Sequence, residues 1–249
     1  MIDVWDNEGG APDSKPPYGL GRLHAPDPRD RRHLMPHRDV TVVDHRLWNC
    51  VGVLDQGSTS QCVAYSGWKY LTSGPIVNRR PKQTPETIYE ECRRNDEWPG
   101  EDYEGTSVRA LFKVFQTYGY VRSYQWAFDL ELVVGHLLNT GPVVMGTNWY
   151  RNMFTPHKET GYLEVSGPID GGHAWLILGA YRSRKNPDGS KGAVRMVNSW
   201  GPTWGQHGRA WLTFIDLDRL IREEGEACVA SEIKISALEL VGSTNTGMA

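Results

Sequence analysis

From Cys62 onward the apolar positions fall into stripes. Val63, Gly67 and Tyr70 share one, and Ala64, Trp68 and Leu71 the next, which predicts a helix stopped by Gly74-Pro75. The segment "TPETIYEECRRN" predicts a second helix. Thr84 suits its N-cap and Pro85 its first position, with acidic residues early and Arg93 and Arg94 late, as the helix dipole favours. In "TSVRALFKVFQTYG", Val108, Leu111, Phe112 and Phe115 recur at helical spacing, and Gly119 stands where a left-handed cap would sit. A short fourth helix is expected from Asp129 to Asn139, ended by Gly141-Pro142.

The texture then changes. "PVVMGTNW", "HAWLILGAYR", "AVRMVNSW" and "RAWLTF" read as short strands, divided by turn segments such as "RKNPDGSKG" and "GPTWGQHG". Mainly helices followed by mainly strands predicts an α+β protein of two packed lobes. Residues 1 to about 40 carry neither period: "GGAPDSKPPYGLG" and "HAPDPRDRRH" are rich in Pro, Gly and Asp and predict an extended arm. The expected division is an arm over 1–40, a mainly helical lobe over 41–128 and a mainly β lobe over 129–249.

Composition narrows the function classes. The balance of apolar and charged residues is that of an ordinary globular chain, and 249 residues can bury a substantial core. A net charge of −3 gives no reason to expect nucleic acid or an anionic membrane as partner. No apolar run approaches the ~20 residues that span a bilayer. The start, "MIDVWDNEGGAPDSKPPYG", lacks the basic and apolar regions of a signal peptide. Cys50, Cys62, Cys92 and Cys228 are scattered, with no CxxC pair, so neither a disulfide framework nor a zinc knuckle is expected. All four thiols are expected to be free. The histidines show no ligand spacing, and no metal or cofactor is expected. His136, His157 and His207 read as surface or loop residues.

Cys62 sits in "LDQGSTSQCVAYSG", just where the helix opens. On its own it could be a small core residue, half of a disulfide, a metal ligand or a nucleophile. A thiol in the first helical turn faces unpaired N–H groups and the positive end of the dipole, both of which favour thiolate. Two other segments stand out: "GGHAWLILGAY", opening a strand, and "VNSWGPTWGQHG", leaving one. With "QGSTSQC" they give Gln, Cys, His and Asn in one order, and the whole resembles the papain-like cysteine peptidase family. The resemblance runs from about Asp39 to Ile235, and "NSWGxxWGxxG", Asn198 to Gly208, is its most specific piece. The arm's "YGLGRLHAPDPRDRRH" is similar to the leader of bacterial members.

The resemblance implies a two-lobe fold: a helical lobe packed on an antiparallel sheet or barrel, with the site in the cleft between. Cys62 would be the nucleophile and His173 its partner, as a thiolate–imidazolium pair reactive near pH 6. Asn198 would orient the imidazole, and Trp200 would cover their contact. The Gln56 side-chain amide and the Cys62 N–H would form the oxyanion hole. Gly105, Thr106, Gly172 and Trp200 would border the substrate, a polypeptide. Two departures matter. Thr59 and Val63 stand where the family usually has Cys and Trp, which removes a loop disulfide and alters packing behind the nucleophile. An amidase or transferase on the same fold, or an inert binding or virion element, are the alternatives. A bacterial or phage source and a cytoplasmic or virion-associated location are expected. The arm is expected to be ordered but irregular, passing near the cleft.

Overall fold

The computed structural model describes residues 16–37, 43–50, 52–76, 78–100 and 102–241. Five helices are present: α1 (Cys62–Thr72), α2 (Pro85–Asn95), α3 (Val108–Thr117), α4 (Leu130–Asn139) and α5 (Phe214–Arg222). The strands are β1 (His45–Leu47), β2 (Arg79–Arg80), β3 (Tyr124–Ala127), β4 (Val143–Tyr150), β5 (Ile169–Lys185), β6 (Lys191–Val197), β7 (Arg209–Thr213), β8 (Glu226–Ala230) and β9 (Glu239–Leu240). The N-cap expected at Thr84 is made, accepting from the Thr87 N–H at the start of α2; Asp129 also caps α4, accepting from the Leu132 N–H. Gly119 takes φ +72° just past α3, a left-handed position that costs glycine little.

Seven strands make one antiparallel sheet in the order β3-β8-β4-β5-β6-β7, with β1 added on β5. It is open, not a closed barrel, and β1 and β3 come from the segment expected to be mainly helical. β5 is the central element. Its first half pairs with β4 and its second with β1 on one edge, while β6 follows the other. His173 to Ala180 are buried without a break, because α1 covers one face of this strand; hence the continuous apolar run in place of alternation.

α1 packs against α3 through Gly67, where a Cβ would lie 2.5 Å from Leu111. A glycine inside a helix lowers its intrinsic stability, by about 1 kcal/mol relative to alanine. Here it permits a close approach that buries Leu111, Phe112 and Phe115 completely. Burial of such side chains contributes roughly 1.5–3 kcal/mol each.

Two expectations need correction. His136 lies inside α4, 6% exposed, because that helix is buried from Leu132 to Leu138 and presents no free face there. His157 and His207 are exposed as expected. The arm is not wholly irregular either: Pro28–Arg32 is a 3₁₀ turn capped by Asp27, and Leu34 bridges to Trp126. Residues 1–15 and 38–40 of the arm lie outside the described residues. No described helix is long and apolar enough to cross a membrane.

Candidate active site

The loop before α1 and the segment after β6 are tied together, and this sets the site. The Gln56 N–H donates to the Ser199 carbonyl at 2.8 Å, and Asp55 bridges to Trp200. Gly57 turns the chain at φ +59°, with its N–H held by the Asp55 carboxylate at 2.8 Å. The Gln56 side chain is fixed at both ends. Its Oε1 accepts from the Ser199 hydroxyl at 2.6 Å, and its Nε2 donates to the Thr59 carbonyl at 2.6 Å. Cys62 then opens α1, and the Gln61 side chain caps none of the first-turn N–H groups.

On β5, His173 Nε2 lies 2.7 Å from Asn198 Oδ1, and the Ser199 N–H donates to the same oxygen at 2.8 Å. Since that oxygen accepts, the ring proton sits on Nε2, leaving Nδ1 with its lone pair. Nδ1 is buried and has no hydrogen-bond partner among the described residues. Trp200 stacks on the imidazole at 4.5 Å, and Trp149 meets it edge-on at 4.7 Å. The Cys62 sulfur accepts from the N–H of Ala174, the residue after His173, at 3.3 Å. Helix start and strand thus bring the Cys62 sulfur to the main chain next to His173, and His173 to the Asn198 amide.

The arm covers that point. The Gly19 carbonyl accepts from both Gln56 Nε2 and Trp200 Nε1, each at 3.2 Å, and Tyr18 stacks on Trp200. Gly21 and Arg22 donate their N–H groups to the Gly172 carbonyl at 3.1 and 3.0 Å. Thr106 donates its N–H to the Gly21 carbonyl and accepts from the Leu23 N–H, both at 2.9 Å. Gly105, at φ +99°, gives way to the Gly21 carbonyl, which a Cβ would approach to 2.5 Å. Every cleft residue expected from the sequence (Gly105, Thr106, Gly172 and Trp200) therefore meets the arm.

Burial sets the protonation state. It pushes the Cys62 thiol up to about 12, against smaller opposing effects of the Ala174, Val63 and Gly21 N–H groups and of Arg22. It lowers His173 to about 3, opposed by the Asn198 hydrogen bond. The thiolate–imidazolium pair expected from the sequence is therefore not the form of the covered site. Both groups are fully buried, and a charge on either is poorly solvated beneath the arm.

Sequence reasoning missed three groups. Ser199 holds Gln56. Gly19 and Gly21 lie so close to the nucleophile loop that a Cβ would reach Thr59 O at 2.0 Å and Ser60 O at 2.1 Å. Arg22 and Glu226 form a buried pair in the cleft wall. The "GLG" inside a proline-rich arm was the available signal for the glycines. All four cysteines are free and buried. Among the described residues, no group of three or more His, Cys, Asp or Glu side chains could hold a metal ion.

No protein-family model and no curated protein matches the chain. Solved structures do. Xylellain, a cysteine protease from Xylella fastidiosa, superposes with a TM-score of 0.65 at 16% identity, over 90% of this chain and 100% of that one. Digestive procathepsin L 3 from the larval midgut of Tenebrio molitor gives 0.60 at 14% identity, over 87% and 76%. The bromelain protease of Ananas comosus, in complex with the E64 inhibitor, gives 0.58 at 13%, over 76% and 99%. The α1–β5 contact, the open antiparallel sheet and these superpositions assign the chain the papain-like fold.

Proposed function

We propose that the protein is a cysteine peptidase whose cleft is closed by its own N-terminal arm. The observation that carries this reading is the arm itself. An extended main chain runs past Cys62 and the His173–Asn198 pair, held by backbone hydrogen bonds as a peptide substrate would be. The same bonds favour a polypeptide over the substrate of an amidase or transferase.

With the arm displaced, water reaches the site and the desolvation that keeps both groups neutral falls away. The proton of Cys62 passes to His173 Nδ1, and the thiolate sulfur attacks a peptide carbonyl carbon. Negative charge moves to the carbonyl oxygen, where Gln56 Nε2 and the Cys62 N–H donate hydrogen bonds. The position of the Gly19 carbonyl on Gln56 Nε2 marks where such an oxygen fits. The C–N bond then breaks, His173 gives its proton to the leaving amine, and a thioester remains. Water, deprotonated by His173, attacks the thioester; the acid leaves and the thiol is restored. Asn198 holds the ring in register throughout. In the covered site the Cys62 sulfur accepts from the Ala174 N–H, while the Gly21 N–H donates to the Gly172 carbonyl.

The test uses full-length protein with Gly21→Ala, to unseat the arm, alone and combined with Cys62→Ala. Casein and a mixed quenched-peptide set should be cut by the first protein and not by the second. A folded Gly21→Ala protein that iodoacetamide labels readily at Cys62, yet cuts no peptide, would overturn the reading.

A further inference from the structure

Several arginines at the surface of this chain answer a carboxylate, as Arg151 does Asp170 and Arg219 does Glu223. Three on one part of the sheet do not. Register sets Arg195 of β6 opposite Trp211 of β7, and Arg209 lies two residues back along β7, so these side chains leave the sheet on one face. The Arg184 guanidinium of β5 lies 3.7 Å from the centre of the Trp211 ring, and that of Arg195 lies 4.8 Å from it. Two cations share one indole. Their hydrogen bonds go to uncharged acceptors. Arg184 Nε donates to Tyr162 Oη at 2.8 Å, Arg195 Nη1 to Gln206 Oε1 at 3.0 Å, and Arg209 to the His207 and Cys50 carbonyls, each at 3.1 Å. Among the described residues no carboxylate forms an ion pair with any of the three.

Such a gathering of like charges is costly. Burial, and behind it the Arg209 and Arg184 charges, pulls Arg195 down to about 10. Lys185 stands directly opposite Lys191 at the end of the same β5–β6 ladder, a pairing that like charges disfavour. In a chain of net charge −3 these uncompensated cations are a local exception, and an anion laid on them would relieve it. Their place relative to the cleft says which kind of anion. Trp200, stacked on His173, meets Trp204 edge-on at 5.5 Å, and two residues further Gln206 holds Arg195. A hollow beside Pro17 and Tyr18 of the arm is walled by Thr203, Gly205 and Gln206, and a second hollow shares these three residues and ends on Arg195. A polypeptide that follows the arm's path out of the cleft is therefore led toward the arginines.

We propose that the face carrying Arg184, Arg195 and Arg209 is a docking surface, outside the cleft, for an acidic segment of the polypeptide substrate. The inference rests on the peptidase reading above and names the kind of substrate. Carboxylates spaced along a chain meet several guanidiniums at once, each through paired N–H···O bonds. Arg184 has the donors for this, since neither of its Nη groups is engaged among the described residues. Contacts so far from Cys62 are the same in ground state and transition state, so they strengthen substrate binding and leave the chemical step alone.

Two measurements on the full chain keep this inference apart from the peptidase reading. The first is binding of fluorescein-labelled octaglutamate, read by anisotropy. Wild type should bind it, and Arg184→Gln combined with Arg195→Gln should weaken binding about 10-fold, the loss of two partly buried charge pairs. Raising salt from about 0.05 to 0.5 M should weaken it as well. Should the double variant fail to fold, Arg184→Gln alone takes its place. The second is cleavage, in the Gly21→Ala background, of one quenched peptide with and without a glutamate tail beyond a glycine–serine spacer. The tail should lower KM about 10-fold with kcat unchanged, and the arginine substitutions should erase that difference. Absence of octaglutamate binding, or equal binding by wild type and variant, overturns the docking surface. So does tighter binding of an oligothymidylate of equal charge, which would make this a nucleic-acid surface. Displacement of octaglutamate by equimolar inorganic phosphate overturns it too, in favour of a small-anion site. Cleavage that ignores the tail overturns the docking surface and leaves the peptidase intact. Arginine-dependent binding without any cleavage supports the surface and overturns the peptidase.

Discussion

The two ends of the described arm are held differently. From Tyr18 to Leu23 it lies in the cleft, fixed by main-chain hydrogen bonds to Thr106 and Gly172, by the Gly19 carbonyl on Gln56 and Trp200, and by one buried side-chain pair, Arg22 with Glu226. From Ala25 to Met35 it lies on α3 and β3, fixed by side chains and by its own folding. Arg109 of α3 forms a buried bidentate pair with Asp30 and donates to the Ala25 carbonyl at 3.0 Å, while Asp27 caps the 3₁₀ turn. The Met35 N–H and the His33 carbonyl add to the edge of β3 through Trp126. Main-chain bonds can be replaced by those of any peptide; the Asp30–Arg109 pair cannot. The first stretch is therefore a plug that can be exchanged, the second an anchor that keeps it at hand.

The largest effect should come from unseating the plug. With the Cys62 thiol pushed from about 9 to about 12, its ionised fraction at neutral pH is roughly 10³-fold below that of an ordinary thiol. Iodoacetamide should label Cys62 of the folded wild type slower than Cys62 of the unfolded chain by that order, read by mass spectrometry. Gly21→Ala should recover much of the loss, because its Cβ would overlap the Ser60 carbonyl. Equal rates in wild type and Gly21→Ala would break the distinction between plug and anchor. The same burial gives a pH dependence. His173 is depressed to about 3, so between the ordinary histidine value and 3 the released chain binds a proton that the closed one does not. The closed form is at full strength above about pH 6.5 and loses stability as pH falls toward 3. Glu226, raised by burial, acts in the opposite sense in the acidic part of that range. Urea midpoints from pH 7 to 4 should fall in wild type and fall less in His173→Ala.

Next comes the anchor. Asp30→Ala leaves the buried Arg109 guanidinium with the Ala25 carbonyl, the more distant Glu97 carboxylate and the face of the Trp126 ring. Removing one partner of a buried pair costs about 3–5 kcal/mol, and the remaining partners place this case near the lower figure. Urea denaturation should show that loss. A change within the error of the midpoint would mean that the arm is held by its plug alone.

The oxyanion donor follows. In the Gly21→Ala background, Gln56→Ala should lower kcat by about 10²–10³ with KM little changed, since its bond is strongest in the transition state. Asn198→Ala should reduce turnover without abolishing it, because Cys62, His173 and the donors remain. A rise in KM alone for Gln56→Ala would assign that residue to binding.

What the sequence disclosed follows from the range of the forces involved. Helix periods and the cap at Thr84 are local, and they appear in the structure as read. Gln56, Cys62, His173 and Asn198 were legible as a pattern of types in order, and the fold brings them together. α5 was lost because "RAWLTF" runs straight into it, although Leu217, Leu220 and Ile221 carry a helical period. The Arg22–Glu226 pair was not legible at all. An arginine in a polar arm and a glutamate near a helix end each read as solvated charges, and only tertiary burial 204 residues apart joins them. Gly19 and Gly21 showed only as "GLG" in the arm, since their partner is the backbone of a distant loop.

The smallest effect sharpens the comparison by holding chemistry fixed and changing only burial. Three residues from Asp30, Asp27 makes the same kind of pair with Arg29, which donates Nε to both carboxylate oxygens and Nη2 to one of them at 2.6 Å. On geometry alone it rivals Asp30–Arg109. The difference is water: the Arg29 side chain is 78% exposed, so solvent and salt screen the attraction, and immobilising the side chain offsets what is left. Asp27 keeps its structural task without Arg29's side chain, because its carboxylate accepts from the Arg29 backbone N–H, which any residue but proline supplies. Arg29→Ala should therefore leave the urea midpoint and the Cys62 labelling rate unchanged within error, at low salt and high. A loss approaching that of Asp30→Ala would show that the number of hydrogen bonds, not their burial, decides what anchors the arm.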